Sequence, residues 1–259
     1  MGKTKKKKKQ DPLDSTMSLG DHLEELRMRL IRALVGLGIG AVICLVLCSY
    51  IIDFIKGPYI GVMGEGATLQ ILAPAEGFIS YIKIALVSGL ILSSPWVFYH
   101  IWMFVAAGLY PNEKRYVHMA APFSAALFVI GALFFVMVVA PLTLGFLVGF
   151  NERALGASSN FTFANYISFV TMLMLVFGIA FQTPVAILFL NKTGLVSVKA
   201  LCKSRKFVLL GIFVVAAMAT PPDPISQVTL AFPLYALFEL GILLSWLSER
   251  RKKTRDNVS

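Results

Sequence analysis

Two acidic side chains, Glu25 and Glu113, offer the clearest binding chemistry in this sequence. Each lies in a short polar segment beside a long apolar run. Carboxylates bind guanidinium groups through paired, charge-assisted hydrogen bonds, so two of them on one membrane face could hold a cationic ligand. Local roles would also explain them, because Glu25 can pair with Arg29 one helical turn away and Glu113 can favour a helix N-terminus. The residues alone leave both interpretations open.

Residues typical of enzymes are not grouped along the chain. The three histidines and the three cysteines lack the spacing of metal ligands or of a disulfide framework. The sequence contains neither a phosphate-binding glycine loop nor a Ser-His-Asp set. We therefore expect no enzymatic activity, no cofactor and no metal site.

The composition indicates what kind of structure positions the two carboxylates. Apolar residues make up 57% of the chain and charged residues 15%, and the mean hydropathy is +0.76. Too little polar surface remains to cover a water-soluble globule. We therefore expect an all-α polytopic membrane protein, built as a bundle of kinked helices.

Long apolar runs predict six transmembrane helices. Several runs contain prolines, which kink a helix that lies in a packed bundle. The loop after the first run is expected to be polar and irregular, because it contains Gly57, Pro58, Gly64 and Gly66. The predicted spans cover residues 30–52, 77–107, 117–150, 163–190, 207–219 and 225–246.

The last two spans predict a short hairpin. Only thirteen apolar residues, 207–219, precede a proline-rich break at residues 220–224. A short span either thins the bilayer around it or lets its ends snorkel to the interface. The sequence leaves these two possibilities open.

Positive charges predict the orientation of the spans. Lys and Arg are concentrated in four segments: residues 1–29 hold eight, 108–116 two, 191–206 five and 247–259 five. The loops on the other side hold little more than Lys56 and Arg153. The positive-inside rule therefore places both termini in the cytoplasm. The net charge of +10 is then explained by orientation and by contact with anionic lipid, and no nucleic-acid partner is expected.

The chain divides into three predicted parts. Residues 1–20 form a basic, disordered cytoplasmic tail, residues 21–248 form the six-span membrane domain, and residues 249–259 form a second basic cytoplasmic tail.

Four motifs follow one another along the chain: His-Leu-Glu-Glu-Leu-Arg at 22–27, Ala-Gly-Leu-Tyr-Pro-Asn-Glu at 107–113, Phe-Gly-Ile-Ala-Phe-Gln-Thr-Pro at 177–184, and Thr-Pro-Pro-Asp at 220–223 followed by Ser226 and Gln227. In this order they resemble the motifs of the TatC family, the receptor and core subunit of the twin-arginine protein translocase. The first motif alone would be weak, but the four together span most of the chain.

The resemblance implies a function in protein export. Folded proteins that carry a signal peptide with two adjacent arginines would be recognised at the cytoplasmic face of the bacterial inner membrane and exported by the proton-motive force. The implied partners are small single-span proteins of the TatA and TatB kind. The chain would be a homo-oligomer within a larger complex.

The resemblance also implies roles for particular residues. Glu25 and Glu113 match the two carboxylates that hold the arginine pair, and Arg27 and Phe104 match neighbours on the same recognition surface. Pro58 matches a functional proline of the first outer loop.

For polar residues of the last two motifs, a functional role and a structural role both stay open. The family commonly has a glutamate where this chain has Gln182, and a neutral amide keeps the hydrogen bonds but loses the charge. We expect Gln182 to have only a polar role in the concave membrane face, or to bond a neighbouring helix. Thr220 and Gln227 are predicted to dock a single-span partner. The alternative is that Asp223 and its neighbours cap a tight hairpin, with Gln227 bonded inside the chain.

Two other classes of function stay open beside a translocase receptor. A small-solute secondary transporter would show inverted repeats and ionisable groups near the membrane midplane, whereas Glu25 and Glu113 are predicted at the cytoplasmic face and no repeat is evident. An intramembrane enzyme is a remote third class.

Overall fold

The protein is built from helices. The computed structural model describes residues 19–107, 114–157, 159–219 and 224–256, and these contain no β-strand, which confirms the all-α prediction for this part of the chain. The helices are α1 (Leu19–Val46), α2 (Cys48–Met63), α3 (Glu76–Ala107), α4 (Lys114–Phe134), a π-helical turn (Phe135–Val139), α5 (Ala140–Leu155), α6 (Phe163–Ala180), α7 (Thr183–Lys192), α8 (Val198–Ala219) and α9 (Pro224–Asp256).

Five helical stretches of the described chain are long and apolar enough to cross a membrane: Leu23–Val46, Glu76–Ala107, Met119–Leu155, Phe163–Lys192 and Pro224–Arg250. Helix α8 does not meet this description, because Lys199, Lys203, Arg205 and Lys206 occupy its first half and leave a short apolar remainder. The six-span count and the cytoplasmic position of both termini therefore stay predictions.

Prolines interrupt two of the spanning stretches. The π-helical turn joins α4 to α5 directly before Pro141, and α6 gives way to α7 directly before Pro184. Proline has no N–H to donate and its ring clashes with the preceding turn, so the regular hydrogen-bond ladder cannot continue unchanged. At these two places the regular α-helix is interrupted, as expected from the prolines.

The predicted loop after the first span was wrong between Asp53 and Met63, because this segment belongs to helix α2 and contains Pro58. Ile55 and Tyr59 lie one turn apart, and both are buried. Residues four positions apart lie on the same face of a helix. Burial of that face stabilises the helix, although it contains glycine and proline. Gly64 and Gly66 do lie beyond the helix, with φ angles of 94° and 93°, a conformation that glycine adopts readily.

Helices α1 and α3 approach each other very closely. A Cβ atom at Gly89 would lie 2.6 Å from the backbone of Ala41, and one at Gly36 would lie 2.2 Å from Trp96. Small residues at such crossings allow two membrane helices to pack backbone to backbone. The close packing against α3 thus fixes the position of α1.

A polar network joins the ends of two other spans. Gln70 and Thr162 form an isolated parallel β-bridge, and the backbone N–H of Phe163 donates to the carbonyl of Gln70 at 2.7 Å. The Glu76 carboxylate accepts from the backbone N–H groups of Leu72, Ala73 and Ala164, at 2.8, 3.1 and 2.9 Å. The starts of α3 and α6 are thereby fixed to each other.

Candidate functional site

The first turns of α1 carry the predicted site residue Glu25. Leu23, Leu26 and Leu30 recur at three and four residues and are all exposed, as expected for a helix that lies against lipid before it enters the membrane. The Glu25 side chain is half-buried. Arg27, on the same helix, is exposed.

Glu25 is paired with Arg29. The Arg29 Nε donates to Glu25 Oε1 at 2.9 Å, and Arg29 Nη2 donates to the same oxygen. The other carboxylate oxygen, Oε2, is buried and has no hydrogen-bond partner among the residues that the structure describes. The predicted i,i+4 pair is therefore present, and it uses half of the carboxylate.

An open cavity of about 360 Å³ lies beside this pair, and its lining residues are Glu24, Glu25, Met28, Arg29 and Arg32. Two acids and two arginines line it, so it presents both signs of charge. Such a cavity can receive a charged ligand group if one of the internal partners gives way.

Helix α3 stands directly behind this part of α1. The Trp96 indole N–H donates to the carbonyl of Arg32 at 2.9 Å, and the ring of Trp96 fills the space above Gly36. The buried His100 packs edge to face against Trp96, with ring centroids 4.6 Å apart. These contacts fix the rotation of α1, and with it the direction in which Glu25 points.

The register of the two helices places Phe104 near the level of Glu25. The chains run antiparallel, since Tyr81 bonds Leu45, Gly89 packs on Ala41 and Trp96 packs on Gly36. Continuing this register brings Glu25 to the level of the last turns of α3. Phe104 lies there and is half-buried.

Three predicted site residues, Glu113, Thr220 and Asp223, lie outside the described residues. Their proposed roles therefore stay predictions.

Gln182 lies at the break between α6 and α7 and bonds a neighbouring helix. Its Nε2 donates to the carbonyl of Ser124 on α4 at 2.9 Å, and the Trp102 indole N–H donates to the Ser124 hydroxyl at 2.8 Å. The Gln182 side chain thus bonds a neighbouring helix, which is one of the two roles that the sequence left open.

Gln227 is bonded within the last hairpin, because its Nε2 donates to the carbonyl of Phe213 on α8 at 2.8 Å. Further from the break between the two helices, Arg205 pairs with Glu239 at 2.8 Å. The Tyr235 hydroxyl donates to the same carboxylate at 2.7 Å. Helices α8 and α9 are therefore tied by polar contacts at two levels.

Pro58 lies inside α2 and not in a loop. It is half-buried and precedes Tyr59, whose ring packs edge to face on Phe161 at 5.9 Å. Tyr166 donates its hydroxyl to the carbonyl of Ile55 at 2.6 Å. Pro58 thus lies in a packed layer that links α2 to the start of α6.

Sequence reasoning missed two polar residues. Glu76 joins two helix starts, as described above, and Lys83 lies seven residues into the second spanning stretch, where its Nζ donates to the Ser168 hydroxyl at 2.8 Å. A lysine within an apolar run is rare enough to be a signal in itself. Nothing in the local sequence indicates the partner of Glu76, since Ala164 is 88 residues away.

Comparison with known proteins decides the family. The family of the Sec-independent protein translocase protein (TatC) matches residues 21–233. The chain belongs to the TatC family. TatC proteins are membrane-embedded components of the Sec-independent protein translocase and are not enzymes.

Individual TatC relatives cover nearly the whole chain. The TatC proteins of Escherichia coli and Aquifex aeolicus are 39% and 38% identical over 90% and 92% of this chain, and over 90% and 98% of their own lengths. The TatC protein of Desulforapulum autotrophicum is 37% identical over 86% of this chain and 82% of its own length.

Two crystal structures of the twin-arginine translocase receptor TatC share the fold. They are 36% and 37% identical to this chain, with TM-scores of 0.79 and 0.80. They cover 88% and 86% of this chain, and the match takes in 99% of each of them.

Proposed function

We propose that this chain is the signal-peptide receptor and core component of a twin-arginine translocase in a bacterial inner membrane. It binds signal peptides with two adjacent arginines at the cytoplasmic face, and Glu25 and Glu113 each receive one guanidinium group. Arg27 and Phe104 belong to the same recognition surface.

The observation that carries this proposal is the state of the Glu25 carboxylate. The side chain lines an open cavity, and one of its oxygens is buried without a hydrogen-bond partner in the described chain. A buried acceptor without a donor costs free energy, commonly about 1–3 kcal/mol. A ligand that brings N–H groups to this oxygen recovers that cost, and a guanidinium is the group best suited to do so.

Export also needs partners and an energy source. We propose that single-span proteins of the TatA and TatB kind dock at Thr220 and Gln227, with Asp223 close by in the chain, and that the proton-motive force drives transport of folded cargo. Pro58 and Gln182 act in the outer layer and in the concave membrane face. The receptor works as a homo-oligomer within the complex, in contact with anionic lipid.

Binding of a labelled twin-arginine peptide to the purified full-length protein tests the receptor site. Glu25→Ala is expected to weaken binding by at least ten-fold, because a partly desolvated charge pair that loses one partner costs roughly 2–5 kcal/mol. Glu24→Ala is the matched control: Glu24 lines the same cavity but is exposed, and binding should stay within two-fold of the unaltered protein.

In cells, deletion of this chain should abolish export of a folded reporter that carries a twin-arginine signal, while a general secretory control is exported normally. The receptor assignment is wrong if Glu25→Ala binds the peptide as well as Glu24→Ala does.

A further inference from the structure

Arg29 engages Glu25 asymmetrically. Its Nε and Nη2 both donate to Oε1, while Oε2 is buried and lacks a hydrogen-bond partner in the described chain. Both side chains are largely covered, with 17% of Arg29 and 22% of Glu25 exposed. A solvated surface pair would leave the second oxygen to water, so this pair is more than an ordinary helix-surface salt bridge.

The arrangement limits what can bind Glu25. A guanidinium binds a carboxylate most strongly with two parallel N–H groups directed at the two oxygens. Because Arg29 holds Oε1, an incoming arginine reaches this paired geometry only when Arg29 leaves that oxygen. The open cavity beside the pair gives the displaced side chain room to move.

Arginine and lysine differ in this exchange. An arginine that displaces Arg29 replaces two hydrogen bonds, both to Oε1, with two parallel ones, of which one reaches Oε1 and the other Oε2. A lysine ammonium is a compact point charge without the fork. It would remove both Arg29 bonds without restoring the paired geometry.

We propose that Arg29 is a specificity-determining residue of the signal-peptide site: it occupies Glu25 in the unliganded protein, and only an arginine displaces it efficiently. This inference rests on the proposed function, since it takes Glu25 as the carboxylate that receives the peptide. It predicts that lysine is rejected even though lysine carries the same charge.

Arg32 provides the matched control. It lines the same cavity as Arg29 and carries the same charge, but among the described residues the ion pair of Glu25 is with Arg29. Loss of either arginine changes the charge of the cavity by one unit, whereas only loss of Arg29 frees Oε1.

The experiment measures dissociation constants of two fluorescent peptides, identical except for Arg-Arg or Lys-Lys, with the full-length protein in detergent. In Arg29→Gln, the ratio of the Lys-Lys to the Arg-Arg constant should fall about ten-fold, which corresponds to about 1.4 kcal/mol, the scale of one charge-assisted hydrogen bond. In Arg32→Gln, both constants should fall together and the ratio should stay the same. Arg29→Lys keeps the charge but loses the fork, so its ratio should also fall.

Three outcomes overturn the inference: an unchanged ratio in Arg29→Gln, an equal fall of the ratio in Arg32→Gln, or loss of Arg-Arg binding in Arg29→Gln, which would make Arg29 a support for Glu25. A ratio that falls in Arg29→Gln but not in Arg29→Lys also overturns it, because charge alone would then be responsible. Glu25→Ala in the same assay separates the two proposals. If Arg-Arg binding does not depend on Glu25, the receptor site fails, whatever the Arg29 variants do.

Discussion

Gln227 shows how a side chain that is bonded inside a membrane protein can keep hydrogen-bonding capacity for the proposed partner. Its amide nitrogen is used within the hairpin, on the carbonyl of Phe213. An amide also has a carbonyl oxygen with two acceptor positions. The bond inside the chain therefore fixes the side chain without using all of its hydrogen-bonding capacity.

Replacing Thr220 with Val and Gln227 with Leu together is expected to reduce crosslinking to a single-span partner and to slow export, while peptide binding stays normal. Hydrogen bonds between membrane helices are worth about 0.6 kcal/mol on average, so the loss should be partial. Thr229→Val is the control, because the Thr229 hydroxyl bonds its own helix at Ile225. Partner crosslinking at the same level in the double variant and in the control would place the docking site elsewhere.

Gln182 marks the limit of sequence reasoning at the residue scale. Its polarity within an apolar stretch, and the glutamate common at this position in the family, drew attention to it. Its partner could not be predicted, because the Ser124 carbonyl is 58 residues away and on another helix. Local sequence identifies an unusual group but not the long-range contact that satisfies it.

Helices α1 and α3 pack backbone to backbone, because glycines at their crossing have no side chains. The nearest atoms to a Cβ at Gly89 are backbone atoms of Ala41 and Gly40, at 2.6 to 2.9 Å. Backbone atoms inside a helix cannot turn aside as a flexible side chain would. Any added carbon must separate the two helices.

Gly89→Ala is therefore expected to destabilise the protein by about 1–3 kcal/mol, the usual range for overpacking, and to lower its unfolding temperature in detergent. Gly38→Ala is the matched control, because a Cβ there meets no atom within 4 Å and alanine favours helix over glycine. The close-approach account fails if both variants unfold at the same temperature.

Among the helices, the long apolar runs were predictable and α2 was not. Runs of more than twenty apolar residues predict spanning helices by length alone. In α2, local signals from Gly57 and Pro58 favour a loop, but burial of Ile55 and Tyr59 against the rest of the protein outweighs them. Tertiary burial of this kind is not visible in a local window.

At the scale of the whole molecule, the topology depends on whether α8 crosses the membrane. If both α8 and α9 cross, the C-terminus lies on the same side as Cys202, which is exposed near the start of α8. If α8 does not cross, the two positions lie on opposite sides. The predicted six-span topology requires the first arrangement.

A Ser259→Cys variant should react with an impermeant thiol reagent from the same side as native Cys202, and from the side opposite to an Ala157→Cys variant. Cys44 and Cys48 are buried, at 4% and 0% exposure, so they should stay unlabelled in the folded protein. A Cys202→Ser background gives the signal of the introduced cysteine alone. Labelling of Ser259→Cys from the side of Ala157→Cys would contradict the six-span prediction.

Of the proposed recognition site, one local contact was predictable from the sequence, and the state of the Glu25 carboxylate was not. The pair of Glu25 and Arg29 follows from their spacing of four residues. The burial of Oε2 without a hydrogen-bond partner among the described residues does not follow from that spacing, because burial depends on how distant parts of the chain pack together. Such a state of a single oxygen can be learned only from the packed structure.

The carboxylate of Glu76 has a consequence for how the protein opens. Its two oxygens accept three backbone N–H groups, two from the segment before α3 and one from the start of α6. These three amides share one acceptor group. If that side chain rotates away, all three lose their hydrogen bonds together. In hydrogen exchange, Leu72, Ala73 and Ala164 are therefore expected to lose protection together whenever this carboxylate turns away, although two candidate membrane spans lie between them in the sequence.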